Sequence, residues 1–403
     1  MKKSMNKLQE TIFEPLPLPD LIKILGLTIK RDEENKVITF LCCLSAYTRN
    51  AQFNVSFNAP SSSGKSFIPT EISKLFPKEN VIEIAYCSPT AFFHDTGTYD
   101  KERNAILIDF TNKILIFLDQ PHMDLLSRLR PLLSHDEEEM HLKITDKAQK
   151  GGLKTKNVII KGFPAVIFCS AGLQIDEQEA TRFILLSPEI NQIKIREAIE
   201  AKINKETDYE AYQHDLSENV SRGLLIKRIE AIKSENIEDV VIEDKKILSE
   251  KFFSKRHILR PRHQRDISRL IALVKVFALL NCWHRERNGN TLKASNEDIL
   301  NALIIWDKIS ESQELNLPSY VHGIYKQVIE PLYGEKGTGL TRQEILTRYF
   351  RVTGNVLEEH KFRQQILPML SAAGLITECN DQKDGRRSLI IPVDPRNSEE
   401  TRG

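Results

Sequence analysis

The stretch NAPSSSGKSF, residues 58 to 67, carries the clearest chemical pattern in the chain. It closes in Gly64-Lys65-Ser66, the end of a phosphate-binding loop of form G-x-x-x-x-G-K-[ST]. In such a loop successive backbone N–H groups point at the phosphates, with the following helix start behind them. Gly64 gives the backbone room to approach, Lys65 supplies charge for the β- and γ-phosphates, and the Ser66 hydroxyl reaches Mg²⁺. Ala59, Pro60, Ser61, Ser62 and Ser63 form the rest of the cradle. Ala59 stands where the pattern wants glycine, and Ala59-Pro60 must make the turn with less freedom. Farther on, KILIFLDQP places Asp119 after four apolar residues, positioned to hold a Mg²⁺-bound water. The residue after it is Gln120, where most ATPases of this kind carry a water-activating Glu. Gln orients water but accepts no proton, so hydrolysis is expected to be slow unless another carboxylate supplies the base, with Asp109 one candidate.

These groups need strands to hold them. Phe53, Val55 and Phe57 alternate with polar residues before the loop, and IPTEISKLF follows it with helical spacing. Between residues 35 and 200, short apolar runs (NVIEIAY, ILIFLD, NVIIKG, PAVIFCS, FILLSP) alternate with helical stretches. That alternation predicts a three-layer α/β domain on a largely parallel sheet. Residues 1–34 read as an N-terminal arm, with the proline-punctuated EPLPLPD leading into LIKILGL. Residues 201–315 read as a charged helical lid whose most apolar helix is RDISRLIALVKVFALLNCWHRE. A third unit, 316–403, follows the break at LNLP.

Composition narrows the class. Of 403 residues, 40% are hydrophobic and 28% charged, which supports a real core and offers no membrane-spanning run. MKKSMNKLQE lacks the apolar stretch of a signal peptide, so a cytoplasmic location is expected. The six cysteines, at 42, 43, 87, 169, 282 and 379, form no CxxC pair and read as buried, reduced thiols. Net charge is +1, so any nucleic-acid binding has to come from local patches.

From about residue 36 to 275 the chain resembles the AAA+ core of the minichromosome-maintenance-like helicases of bacterial mobile elements and phages. HLKITDKAQKGGLKTKNVIIKG stands in the place of their pre-sensor-1 hairpin, with Lys147, Lys150, Lys154 and Lys156 about a Gly151-Gly152 tip. PAVIFCSA resembles the sensor-1 strand, with Ser170 where Asn or Thr is usual. EQEATRFILLSP resembles the arginine-finger segment through Arg182, and RDISRLIALVKVF the sensor-2 helix through Arg265. The resemblance implies an ATP- and Mg²⁺-dependent DNA helicase. It would work as a homo-oligomeric ring, most simply a hexamer, with single-stranded DNA gripped in the channel and Arg182 acting on a neighbour's nucleotide. Ala59, Gln120 and Ser170 depart from the family pattern, and the family's strand order would set the strand holding Glu83 beside the Asp119 strand, which makes Glu83 another candidate base. The hairpin lysines also fit a plain solvated ribbon.

The C-terminal stretch from TGLTRQEIL to RRSLIIPV reads helix, helix, strand, polar turn, strand. Thr341 and Glu344 have capping-box spacing. A second helix over 357–373 sets Ile366, Leu367 and Leu370 on one side and His360, Lys361, Arg363 and Gln364 on the other. The unit resembles a winged helix, which would offer Lys361 and Arg363 to a duplex groove and Arg386 and Arg387 on the wing. Winged helices also bind proteins, and that reading stays open. Three functions are therefore weighed: a helicase or replication initiator of a mobile element, an ATP-dependent DNA-binding assembly factor without unwinding, and a protein remodeller. Gln120 favours the second, and the hairpin tip KAQKGGLK, which has no aromatic residue, counts against the third.

Overall fold

The computed structural model describes residues 12–60, 63–88, 97–119, 123–134, 139–146, 154–170, 182–254, 256, 259–380 and 388–393. Its strands in chain order begin with β1 (Asn54–Asn58), β2 (Val81–Ile84), β3 (Thr98–Asp100), β4 (Ala105–Asp109) and β5 (Ile114–Phe117). They continue with β6 (Glu139–Asp146), β7 (Lys154–Lys161), β8 (Ala165–Ser170) and β9 (Phe183–Leu186). Five of them make an all-parallel sheet in the order β2-β5-β8-β1-β9. Strands β5, β8 and β9 are buried along their whole length, as continuous apolar runs must be when helices cover both faces.

Alternation along the strands sorts the core into two layers. Val55, Phe57, Ile116, Ile167, Ile184 and Leu186 pack with the helix Glu33–Ser45. Leu115, Phe117, Val166, Phe168 and Leu185 pack with the helix Met123–Ser134 on the other side. The central strand β1 departs from this, because Asn54, Ser56 and Asn58 are buried polar residues. Asn54 Nδ2 donates to the Leu133 carbonyl (3.0 Å), and Ser56 Oγ donates to Asn58 Oδ1 (2.9 Å). The chain is thus an α/β protein built on a parallel five-stranded sheet.

A second sheet, β3-β4-β7-β6, stands beside the first. The expected hairpin of β6 and β7 is present, and NVIIKG belongs to it rather than to the parallel sheet. The sequence reading has no counterpart for β3 and β4. There the apolar run AILID is split from ILIF by a turn in which Asn112 takes a positive φ of 59° and Asp109 Oδ1 accepts from Thr111 N (2.8 Å). The first run joins β7 in parallel while the second enters the main sheet.

The region after β9 is mostly helical, as expected, and includes the helices Gln192–Thr207, Val220–Ser234, His263–Leu280 and Asn296–Glu314. It also holds a small sheet that the sequence reading lacks, with Asp239–Ile242 parallel to Thr291–Ala294 and Arg287–Asn288 antiparallel to the latter. Leu273, Phe277 and Leu280 of one long helix pack with Ile299, Ala302 and Trp306 of the next. Residues 12–16 are strapped to this region. Arg228 donates to the Ile12, Glu14 and Leu280 carbonyls, and the Asn281 amide pairs with both backbone groups of Leu16.

The C-terminal unit has its own core, including Val321, Ile329, Leu340, Ile345, Phe362, Ile366 and Ile390. The capping box forms as expected, with Glu344 N donating to Thr341 Oγ1 and Thr341 N donating back to Glu344 Oε2. Two helices widen into single π-turns, Tyr325–Ile329 before Pro331 and Phe362–Ile366 before Pro368. Each proline lacks an N–H for the carbonyl four residues back and displaces it, so the turn opens. The hairpin Ile376–Asn380 with Ser388–Pro392 follows, and Leu340 bridges to Ile390. No helix among the described residues is long and apolar enough to cross a membrane. Cys379 is exposed on this hairpin and Cys87 half-buried, which corrects the expectation that all six thiols are buried.

Candidate nucleotide site

β1 ends at Asn58, and the loop begins while still attached to the sheet. The Ala59 N–H donates to the Ser170 carbonyl (3.3 Å), which extends the β1–β8 ladder by one residue. Ala59 is fully buried, and in the described part of the loop only Gly64 takes a positive φ, at 90°. An alanine is therefore unstrained at the first position. Gly64 is different: its left-handed backbone favours glycine, and open space lies where a Cβ would project. The chain then turns into the helix Phe67–Ser73, with Phe67 N and Ile68 N both donating to the Gly64 carbonyl (3.1 and 3.3 Å). The Ser63 hydroxyl is buried without a hydrogen-bond partner among the described residues, which fits a cradle completed by a ligand.

The sheet order assembles the rest. β8 lies between β5 and β1, so Asp119, Ser170 and the loop meet at the carboxyl end of three adjacent parallel strands. Ligands gather at this end of open α/β sheets. Cys169 reports the convergence: its thiol donates to the Lys65 carbonyl (3.5 Å). Burial pushes that thiol up to about 12, with Lys65 pulling it down and Asp119 pushing it up. Lys65 and Asp119 are thus both within electrostatic reach of one side chain. Asp119 and Ser66 are exposed, so both side chains are open to solvent at this end of the sheet. Ser61, Ser62 and Gln120 lie outside the described residues.

Neither proposed base faces this site. Glu83 sits on β2 beside the Asp119 strand, as expected, opposite Ile116. Its carboxylate accepts from Ser73 Oγ (3.0 Å) at the far end of the loop's helix. Seven residues at roughly 1.5 Å each put Ser73 about 10 Å along the axis from Ser66. Asp109 caps the turn that enters β5, whereas Asp119 follows its exit. Four strand residues at roughly 3.3 Å each separate the two ends by about 13 Å.

Arg182 stands just before β9, and Arg265 lies in the helix His263–Leu280. The register of β1 with β9 pairs Asn54 with Phe183, so Arg182 is level with Phe53, at the opposite end of the sheet from the loop. Five residues of strand, about 17 Å, lie between that level and Asn58. Arg265 is exposed in the first turn of His263–Leu280, among several arginines. Arg262 and Arg269 both pair with Asp266, which is 0% exposed (3.4 and 3.0 Å), and burial lowers Arg269 to about 10. Arg256 pairs with Glu314 (2.5 Å), and Arg262 donates to Asn316 Oδ1 (2.5 Å), so this turn is tied to the start of the C-terminal unit. Those partners escape a sequence reading because nothing local links residues 262 and 316.

Of the expected DNA-contacting residues, Lys156 is half-buried on β7 opposite Ile144, Lys361 is half-buried and Arg363 exposed. Lys147, Lys150, Arg386 and Arg387, and the side chain of Lys154, lie outside the described residues. Arg103 pairs with Glu139 (3.0 Å) and joins the β3–β4 hairpin to the β6–β7 hairpin.

No protein-family model matches the chain, and no curated protein matches it.

Proposed function

We propose that this chain is a AAA+-type ATP-binding protein acting on DNA, most simply a minichromosome-maintenance-like helicase or replication initiator of a mobile element or phage. One observation carries the reading. The five parallel strands run β2-β5-β8-β1-β9, with the Lys65 loop after β1 beside one edge, Asp119 two strands away and Ser170 between them, an order that supports the AAA+ reading. The Gly64 and Ser63 backbone and side-chain groups would cradle the phosphates, Lys65 would neutralise them, and Ser66 and Asp119 would hold Mg²⁺ directly or through water. Bound there, Mg²⁺ would offset charge on the β- and γ-phosphate oxygens.

The position of Arg182 supports action in trans, since about 17 Å of strand keeps it from its own loop. An oligomer follows from that, and a hexameric ring is its simplest closed form. The helix–helix–hairpin order of the C-terminal unit supports a winged helix, and its exposed Arg363 supports duplex contact. A second reading, an ATP-gated assembly factor on DNA without unwinding, is favoured by Gln120 and by the distance of Glu83 and Asp109 from the site.

The test is binding of single-stranded and duplex DNA over a salt series, with and without ATP. Tighter, salt-sensitive binding in the presence of ATP is expected. Binding that ignores ATP at every salt concentration refutes a nucleotide-controlled DNA protein. Duplex binding without any single-strand affinity or unwinding selects the assembly factor.

A further inference from the structure

β9 is an edge strand, and Leu185 turns both of its backbone groups away from the sheet. A single side chain meets both: Gln313 Oε1 accepts from Leu185 N (3.0 Å), and Gln313 Nε2 donates to the Leu185 carbonyl (2.7 Å). That carbonyl also accepts from Ser319 Oγ (3.0 Å). Gln313 is 0% exposed and comes from 128 positions away in the chain. Edge strands are usually blunted by charge, bulges or a covering element. Here an amide takes the place of the missing strand.

The clamp joins three parts of the molecule. Gln313 lies in the last turn of the helix Asn296–Glu314, which packs along His263–Leu280, the helix bearing Arg265. Ser319 opens the C-terminal unit. Two residues beyond Leu185, Ser187 Oγ donates to the Asn58 carbonyl (2.6 Å) at the root of the phosphate loop and accepts from Tyr320 N (2.8 Å). Three residues before Leu185 stands Arg182.

We propose that Gln313 is a positioning residue for Arg182. Its clamp on Leu185 fixes the height of β9 along the sheet edge, and so couples the C-terminal unit to the presentation of Arg182 at the next subunit's nucleotide. This rests on Arg182 acting in trans. A slip of one residue along a strand moves a side chain by roughly 3.3 Å. A displacement of about 1 Å can already cost on the order of 100-fold in rate.

The experiment mixes variant chains and reads ATP turnover. Lys65→Ala chains supply the finger without a working site, and Arg182→Ala chains supply the site without a finger. Together they should recover turnover that neither shows alone. When Lys65→Ala is replaced by Lys65→Ala/Gln313→Met, recovery should fall on the order of tenfold or more, with KM for ATP unchanged. Met keeps the volume and removes the donor and acceptor. Placing Gln313→Met on the Arg182→Ala chain instead should leave recovery as it was, because that chain supplies no finger. Unchanged recovery with the first double variant overturns the proposal, as does an equal loss from both placements, the mark of a merely structural role. If Gln313→Met does not fold, Ser319→Ala on the Lys65→Ala chain decides: a smaller loss in the same direction upholds the clamp, and none overturns it. No recovery even in the parent mixture refutes the trans finger itself, and the proposal falls with it.

Discussion

Replacing Gln120 with Glu is expected to speed ATP turnover. The argument rests on what surrounds the site. Glu83 is held by Ser73 about 10 Å along the helix from Ser66, and Asp109 caps a turn at the far end of β5. Among the described residues, the two strands beside β5 end in Ile84 and Ser170, neither of them acidic. General-base catalysis is worth on the order of 10² to 10⁴ in rate. At about 1.36 kcal/mol per decade, that is about 2.7 to 5.4 kcal/mol of barrier. Gln and Glu are nearly isosteric, so the strand that ends in Asp119 should be undisturbed. Steady-state phosphate release with saturating Mg·ATP is the assay, and Gln120→Glu should raise it by tens-fold or more. Glu83→Gln should leave turnover unchanged, since that carboxylate serves Ser73. If Gln120→Glu is neutral or slower while Glu83→Gln silences turnover, the base comes from β2 and this account of the site's geometry is wrong.

Other expectations follow from burial and backbone. Asp266→Asn removes the carboxylate that Arg262 and Arg269 share, and should cost about 3 to 5 kcal/mol in urea unfolding; a loss under about 1 kcal/mol would mean that the buried arginines find other partners. Ala59→Gly should leave ATP affinity unchanged while lowering stability by up to about 1 kcal/mol, because Ala59 already sits in an ordinary conformation; a clear gain in affinity would show that the alanine strains the loop. Glu344 is held at about 2 by its bonds from Lys336 and the Thr341 backbone. A depressed carboxylate stabilises above its unfolded value and loses that stability as pH falls, here from about 4.5 toward about 2. Acid unfolding of the C-terminal unit should therefore become less pH-dependent over that window in Glu344→Gln, and an unaltered profile would contradict the pairing.

Much of the site is legible in the residues because its parts are local. Phe53, Val55 and Phe57 mark a strand, Gly64-Lys65-Ser66 the loop, and ILIFLD a second strand with Asp119 at its end, and the structure has both strands and a helix directly after the loop. Their meeting depends on β8 running between them, which apolar content alone does not specify. Strand β4 was missed because Phe110–Lys113 separates two apolar runs that go to different sheets. The strand Asp239–Ile242 was missed because acidic residues surround it and mask its three β-branched residues. Gln313 had no signal at all: in SESQE it is one polar residue among several, and its partner lies 128 residues away. The π-turns, by contrast, have a local cause in Pro331 and Pro368.

The central claim is that Lys65 and Asp119 hold Mg·ATP at the carboxyl end of the parallel sheet. Calorimetric titration of Mg·ATP into the parent chain and into Lys65→Ala tests it most directly, with circular dichroism to show that both are folded. Saturable binding to the parent and none to Lys65→Ala is the expected result. Unchanged affinity in a folded Lys65→Ala chain would contradict the claim.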